Sequence, residues 1–296
     1  MKEMNGDNRV KGILCIILAA FGFSLMTFFV RLSGDLPTMQ KAFFRNIVAL
    51  CVASFALIKN KTPLYIKKGN RLDIFMRCLF GTSGLIANFY AIDKIGIADA
   101  NMLNKLSPFF AIILSVFILK ELPNKRDIVA TVVAFIGALF IIRPTGVMSE
   151  MIPALAGLYG GFGAGTAYVF VRKLGKKGEN TAIIVFCFSL FSCLIALPYL
   201  IFFYHPMTGQ QLLYLMLAGM GASLGQFAIT TAYKCAPAKE LSVFDYTQVL
   251  FAAILGIVFL GEYPVTLSIL GYAIIIGVAV YRWWWVNRSP KKRATL

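Results

Sequence analysis

The segments PFFAIILSVFILKE (Pro108–Glu121) and FAAILGIVFLGE (Phe251–Glu262) decide the fold of this 296-residue chain. Each is an apolar run that closes on a glutamate, and a shift of 141 residues lays Leu119 and Glu121 on Leu260 and Glu262. The same shift lays Phe21-Gly22 on Phe162-Gly163 and Phe29-Val30-Arg31 on Phe170-Val171-Arg172. It also lays Gly84, Ala87 and Ala91 on Gly225, Ala228 and Ala232. One offset that relates several separated segments marks an internal duplication.

Working outward from these runs, 59% of residues are hydrophobic and 14% charged, far from the composition of soluble domains. A helix that crosses a hydrocarbon core of about 30 Å needs roughly 20 apolar residues. Ten such runs can be read, at 11–30, 39–58, 72–92, 98–119, 127–142, 151–171, 181–203, 211–233, 238–260 and 266–285. The connections are too short for another domain. Lys2, Glu3, Asp7, Arg9 and Lys11 precede the first run and no small-residue cleavage site follows it, so this helix is expected to stay in the mature chain.

Five crossings per half is an odd number, so the second half must enter the bilayer from the opposite side. The expected fold is all-α and polytopic, with ten transmembrane helices as two inverted five-helix repeats, 1–146 and 147–296. Inverted repeats recur in secondary transporters, where two pseudo-equivalent halves open one central site alternately to each side.

The formal charge of +16 does not point to nucleic acid, because the basic residues are sorted by side. Twenty-two lie in segments on the side of the N-terminus, and only Arg31, Lys41, Lys94 and Arg143 on the other. This bias places both termini in the cytoplasm of a cell with the chain in its inner membrane. Trp283–Trp285, followed by Arg288 and Lys291–Arg293, read as an aromatic anchor and a basic tail touching anionic lipid. Six cysteines without a Cys-x-x-Cys pair suggest neither a zinc site nor a disulfide framework. The single histidine, His205, builds no triad, and no glycine run is followed by a phosphate-loop lysine. An enzyme, a metal site and a cofactor are therefore not expected.

The two quoted segments, Gly137, Gly271 and Gly277 in the helices that follow them, and Arg45 in helix 2 resemble the EamA-like branch of the drug/metabolite transporter superfamily. The resemblance covers nearly the whole chain. It implies a ten-helix carrier of amino acids, metabolites or drugs, with a central cavity lined mainly by helices 1, 3, 4, 6, 8 and 9.

Charges at lipid depth are costly and mark candidate sites. Arg45 and Lys105 each fall about 5 Å to the outer side of their helix centres, and Asp245 about 6 Å to the inner side. Arg45 or Lys105 is suited to a substrate carboxylate, Arg through a bidentate fork and Lys as a point charge; packing against carbonyls is the alternative for Arg45. Asp245 is the one carboxylate well inside a helix. It is expected to couple transport to a proton, to meet a substrate amine, or to bridge statically to Lys105. Asn101, Asn104, Lys105 and Pro108 share one helical face, and Ser242, Asp245, Tyr246 and Val249 are their counterparts. Pro108 is a candidate hinge. Asn88 and Gln226 should face inward, as substrate ligands or interhelical bonds. The glycines of helices 6 and 8 should let backbones approach closely.

These residues describe an alternating-access exporter of a small polar metabolite, amino-acid-like or carboxylate-bearing, with proton or counter-solute coupling. It would act as a monomer or weak homodimer among membrane lipids. A multidrug exporter would instead line its cavity with aromatics such as Phe23, Phe89, Tyr90 and Phe244, and a lipid or lipid-linked sugar flippase of the same fold is a further alternative.

Overall fold

A computed structural model describes residues 6–95, 103–142, 151–261 and 266–287. The described residues form α1 (Gly6–Leu32), α2 (Thr38–Lys59), α3 (Arg71–Ile95), α4 (Ser107–Leu119), α5 (Lys125–Ile142), α6 (Met151–Lys176), α7 (Thr181–Phe202), α8 (Gly209–Cys235), α9 (Ala238–Asp245), α10 (Thr247–Leu260) and α11 (Thr266–Asn287), with one 3-10 turn, Lys68–Asn70. Helices are the expected solution for apolar runs in lipid, where each backbone donor and acceptor needs a partner within its own segment.

Six of the described helices are long and apolar enough to cross a bilayer: α1, α2, α6, α7, α8 and the composite of α9 and α10. The other sequence-expected spans depart from that pattern for visible reasons. Arg71, Asp73, Arg77 and Lys94 interrupt the apolar character of α3, and Lys125, Arg126 and Asp127 occupy the first turn of α5. The run 98–119, read from sequence as one helix, is broken: Leu103–Asn104 are helical, Lys105–Leu106 turn, and α4 begins at Ser107. The run 238–260 is broken at Tyr246. Positions 105 and 246 differ by 141 residues, the offset of the duplication.

Helix contacts follow the same offset. α1 packs on α8 and α3 on α6; α4 packs on α6 and α10 on α1; α2 packs on α7 and α5 on α11. Exchanging each helix for its counterpart maps this set onto itself. The close approaches rely on glycine. A Cβ on Gly22 would stand 2.7 Å from the Gly225 nitrogen, and one on Gly163 would stand 2.7 Å from the Phe80 carbonyl oxygen and 2.8 Å from Gly84 Cα. Gly22 and Gly163, and Gly84 and Gly225, are counterparts.

The distribution of polarity is that of a molecule dissolved in lipid. Phe55, Ile58, Phe117, Val258 and Phe259 face outward, whereas Arg45, Arg77, Gln226 and Asp245 are buried. At one end, charges join the helix termini: Asp73 with Lys173 and Lys177, Glu121 with Arg172 and Lys176, and Asp127 with Arg282. At the other end the ties are neutral. Gln40 exchanges two hydrogen bonds with the His205 backbone, and Gln211 Nε2 donates to the Ser33 carbonyl.

α4 and α10 both end on a left-handed residue, Lys120 (φ 55°) and Gly261 (φ 66°). A side chain at such a position carries a steric cost that glycine avoids. Lys120→Gly is therefore expected to stabilise the protein by about 1 kcal/mol, seen as a higher melting temperature in detergent; an unchanged or lower value would mean that the lysine side chain holds this end.

Candidate functional site

The two breaks meet. Tyr246, fully buried between α9 and α10, donates its hydroxyl to the Lys105 carbonyl at 2.9 Å, so each broken segment is tied to the other. Lys105 Nζ donates to Gln248 Oε1 at 2.7 Å and lies 3.5 Å from Asp245 Oδ2. Ser24 Oγ on α1 lies 2.8 Å from the Gln248 carbonyl. Its counterpart on α6, Gly165, brings its own backbone against Ser107, which is the counterpart of Gln248. A lysine, a carboxylate and an amide thus occupy the junction of two interrupted helices, where backbone at membrane depth is tolerated because protein surrounds it.

Pro108 does not kink a continuous helix. It lies in the first turn of α4, where a missing N–H costs nothing. The expected face Asn101, Asn104, Lys105 and Pro108 is consequently not a face of one helix. Asn104 remains at the break, half-buried beside Gly161 of α6, whose Cβ would stand 2.7 Å from the Leu103 oxygen. Asn101 lies outside the described residues.

A second layer surrounds this junction. Tyr168 of α6 stacks on Tyr233 of α8, with ring centroids 4.8 Å apart. Tyr168 lies within electrostatic range of Asp245, Arg77 and Arg45, and so links the junction to two buried arginines. Arg77 Nη2 donates to Gln226 Oε1 at 3.1 Å, and its guanidinium lies 4.1 Å over the Phe188 ring. Arg45 is 4% exposed, and its Nε and Nη1 have no hydrogen-bond partner. Packing of Arg45 against carbonyls through these two nitrogens is therefore not what is observed. Asn88 faces Gly160 of α6, and its Oδ1 is also buried without a partner.

Sequence reasoning singled out Lys105, Asp245, Tyr246 and Gln226, and the structure brings the first three into direct contact. It missed Gln248, Tyr168, Tyr233 and the role of Arg77. The duplication held a signal for part of this: the shift of 141 pairs Ser107, between Lys105 and Pro108, with Gln248. Three of the four aromatics named for a drug-binding wall are accounted for by core packing or by the outer surface. Phe23 and Phe244 belong to the apolar core, and Tyr90 faces outward.

The EamA-like transporter family model matches residues 10–143 and again 151–282, two segments that start 141 residues apart. Pseudopaline exporter CntI of Pseudomonas aeruginosa (strain UCBPP-PA14) is 31% identical over 274 residues, 90% of this chain and 93% of that one. Solute carrier family 35 member G1 of Homo sapiens is 26% identical over 291 residues, 92% of this chain and 80% of that one. A solved crystal structure with 16% identity has the same fold, with a TM-score of 0.82 over 95% of this chain and 100% of that one. The chain is a multi-pass membrane protein and belongs to the EamA-like transporter family.

Proposed function

We propose that the protein is a secondary carrier of ten crossings, formed by inverted halves 1–146 and 147–296, which exports a small carboxylate-bearing, amino-acid-like metabolite from the cytoplasm. The inner membrane holds it with both termini inside. The observation that carries this reading is the junction of Lys105, Asp245 and Gln248 at two helix breaks 141 residues apart. A polar site at the interface of two related halves is what alternating access requires. The exchangeable packing of α1 on α8 and α3 on α6 supports it further, since two equivalent arrangements of such pairs have similar energies.

Lys105 and Asp245 give the site a donor and an acceptor that can trade each other for the carboxylate and amine of a cargo. Asp245, released from Lys105, is also the group placed to take a proton. Arg45, Asn88, Asn101, Asn104, Gln226 and Tyr246 complete the proposed binding set, and the helix start at Pro108 is the proposed hinge. The export direction is supported by the likeness to a pseudopaline exporter.

The test is a thermal-shift screen of the purified protein against a metabolite library, followed by flux in proteoliposomes. The expected hits carry a carboxylate, and Lys105→Ala abolishes both their shift and their flux. Hits and flux that ignore Lys105, Arg45 and Asp245 would refute the site.

A further inference from the structure

Among the described residues, the buried arginines that no carboxylate answers lie around the proposed site. Near the helix ends Asp73 has Lys173 and Lys177, Glu121 has Arg172 and Lys176, Asp127 has Arg282, and Glu240 has Arg9, while the buried Glu179 carboxylate accepts from Asn70 Nδ2 and the Asn180 backbone N–H. At the centre, Lys105 and Asp245 answer each other. Arg45 and Arg77 are left. Both are at least nine-tenths buried, at 4% and 2% exposure, and they lie in electrostatic range of one another and of Tyr168. Among the described residues, Arg77 bonds the neutral Gln226 oxygen, packs on the Phe188 ring and over Gly81, and has its Nε unbonded; Nε and Nη1 of Arg45 are unbonded as well.

We infer that Arg45 and Arg77 form a two-point receptor for a dianion, and that the cargo carries two carboxylates in excess of its amines. This rests on the carrier reading and specifies its substrate. Two buried guanidinium groups with free donors and no carboxylate represent a cost that a doubly negative ligand removes. Spacing chooses between a dicarboxylate and a phosphate monoester, the two common dianions. Arg45 springs from α2 roughly 5 Å on one side of the helix midpoint, and Arg77 from α3 about 9 Å from its midpoint towards the opposite surface. Two anchors that approach from opposite depths fit two separated carboxylates better than the three oxygens of one phosphate. Tyr168, in electrostatic range of both, is placed to offer its hydroxyl to the bound anion.

The experiment uses the full chain in proteoliposomes, with labelled alanine, glutamate, succinate, adipate and glycerol 3-phosphate as probes and with imposed potassium diffusion potentials. Succinate or adipate is expected to move at least about tenfold faster than alanine, and the rate should follow the potential as required for net negative charge. Arg45→Met and Arg77→Met should each lower this flux at least about tenfold. Each should leave the melting temperature of the ligand-free protein unchanged or higher, because an unanswered buried charge has been removed; a purely structural arginine would lower it. Alanine flux equal to or faster than dicarboxylate flux, while still dependent on Lys105, would overturn the charge count and leave the carrier reading standing. Preference for glycerol 3-phosphate would overturn the two-carboxylate geometry. Flux of no probe, together with no thermal shift by any of them, would overturn the receptor; only the wider metabolite screen could then still support the carrier.

Discussion

Asp245→Ala is expected to destabilise the protein by about 3–5 kcal/mol, the usual cost of breaking a buried ion pair on one side, and to reduce transport to background. The side chains of Lys105 and Asp245 are 12% and 10% exposed, so removal of the carboxylate leaves a poorly solvated ammonium held by the neutral Gln248 oxygen. The loss should be non-additive. Lys105→Met combined with Asp245→Ala removes both charges and should recover most of the lost stability, since a neutral pair in such a place costs far less than a lone ion. Transport should not recover with it. Chemical denaturation and flux measured on the two single variants and the double variant check both halves of this statement. A double variant as unstable as the sum of the singles would mean that the two residues are not coupled.

Gly163→Leu should be comparably damaging for a different reason. The Cβ alone would stand 2.7 Å from the Phe80 carbonyl oxygen and 2.8 Å from Gly84 Cα, and these neighbours are backbone atoms that cannot rotate away. Even one added methyl in a tight contact costs about 1–3 kcal/mol, and leucine adds three further carbons. The α3–α6 contact should therefore open, with little folded protein recovered. Gly22→Leu should behave alike, because its Cβ would meet the Gly225 nitrogen at 2.7 Å on the α1–α8 contact. Gly69→Leu is the control, since nothing lies within 4 Å of the added Cβ. Normal yield and melting of Gly163→Leu by size-exclusion and thermal assays would mean that α3 and α6 are farther apart than described.

The all-helical, multi-pass character was legible in the sequence, because lipid imposes long apolar runs, and the repeated segments were legible as matching residues at a fixed offset. Lys105 and Asp245 could be found as isolated charges at depth. The breaks beside them could not, since neither Lys105 nor Tyr246 is a residue that ordinarily ends a helix, and Pro108 falls just after the first break rather than at it. Once a helix is assumed continuous, residues beyond a break are projected onto the wrong face. That is why Gln248 escaped notice while Asn101, Asn104 and Pro108 were given a shared face with Lys105. Tyr168 and Tyr233 escaped because an aromatic at lipid depth reads as packing until its neighbours are known. Arg77 escaped because its partners Gln226 and Phe188 lie on other helices, far away in sequence.

Inversion of the two halves is the claim on which transport by alternating access depends, and impermeant maleimide labelling of intact cells tests it most directly. In a cysteine-free background, Asp35→Cys sits in the exposed turn after α1, and Lys176→Cys at the exposed end of α6, where Arg172 still pairs with Glu121. Asp35→Cys is expected to label from outside, and Lys176→Cys only after the membrane is permeabilised. Equal labelling of both from the same side would contradict an inverted pair of halves.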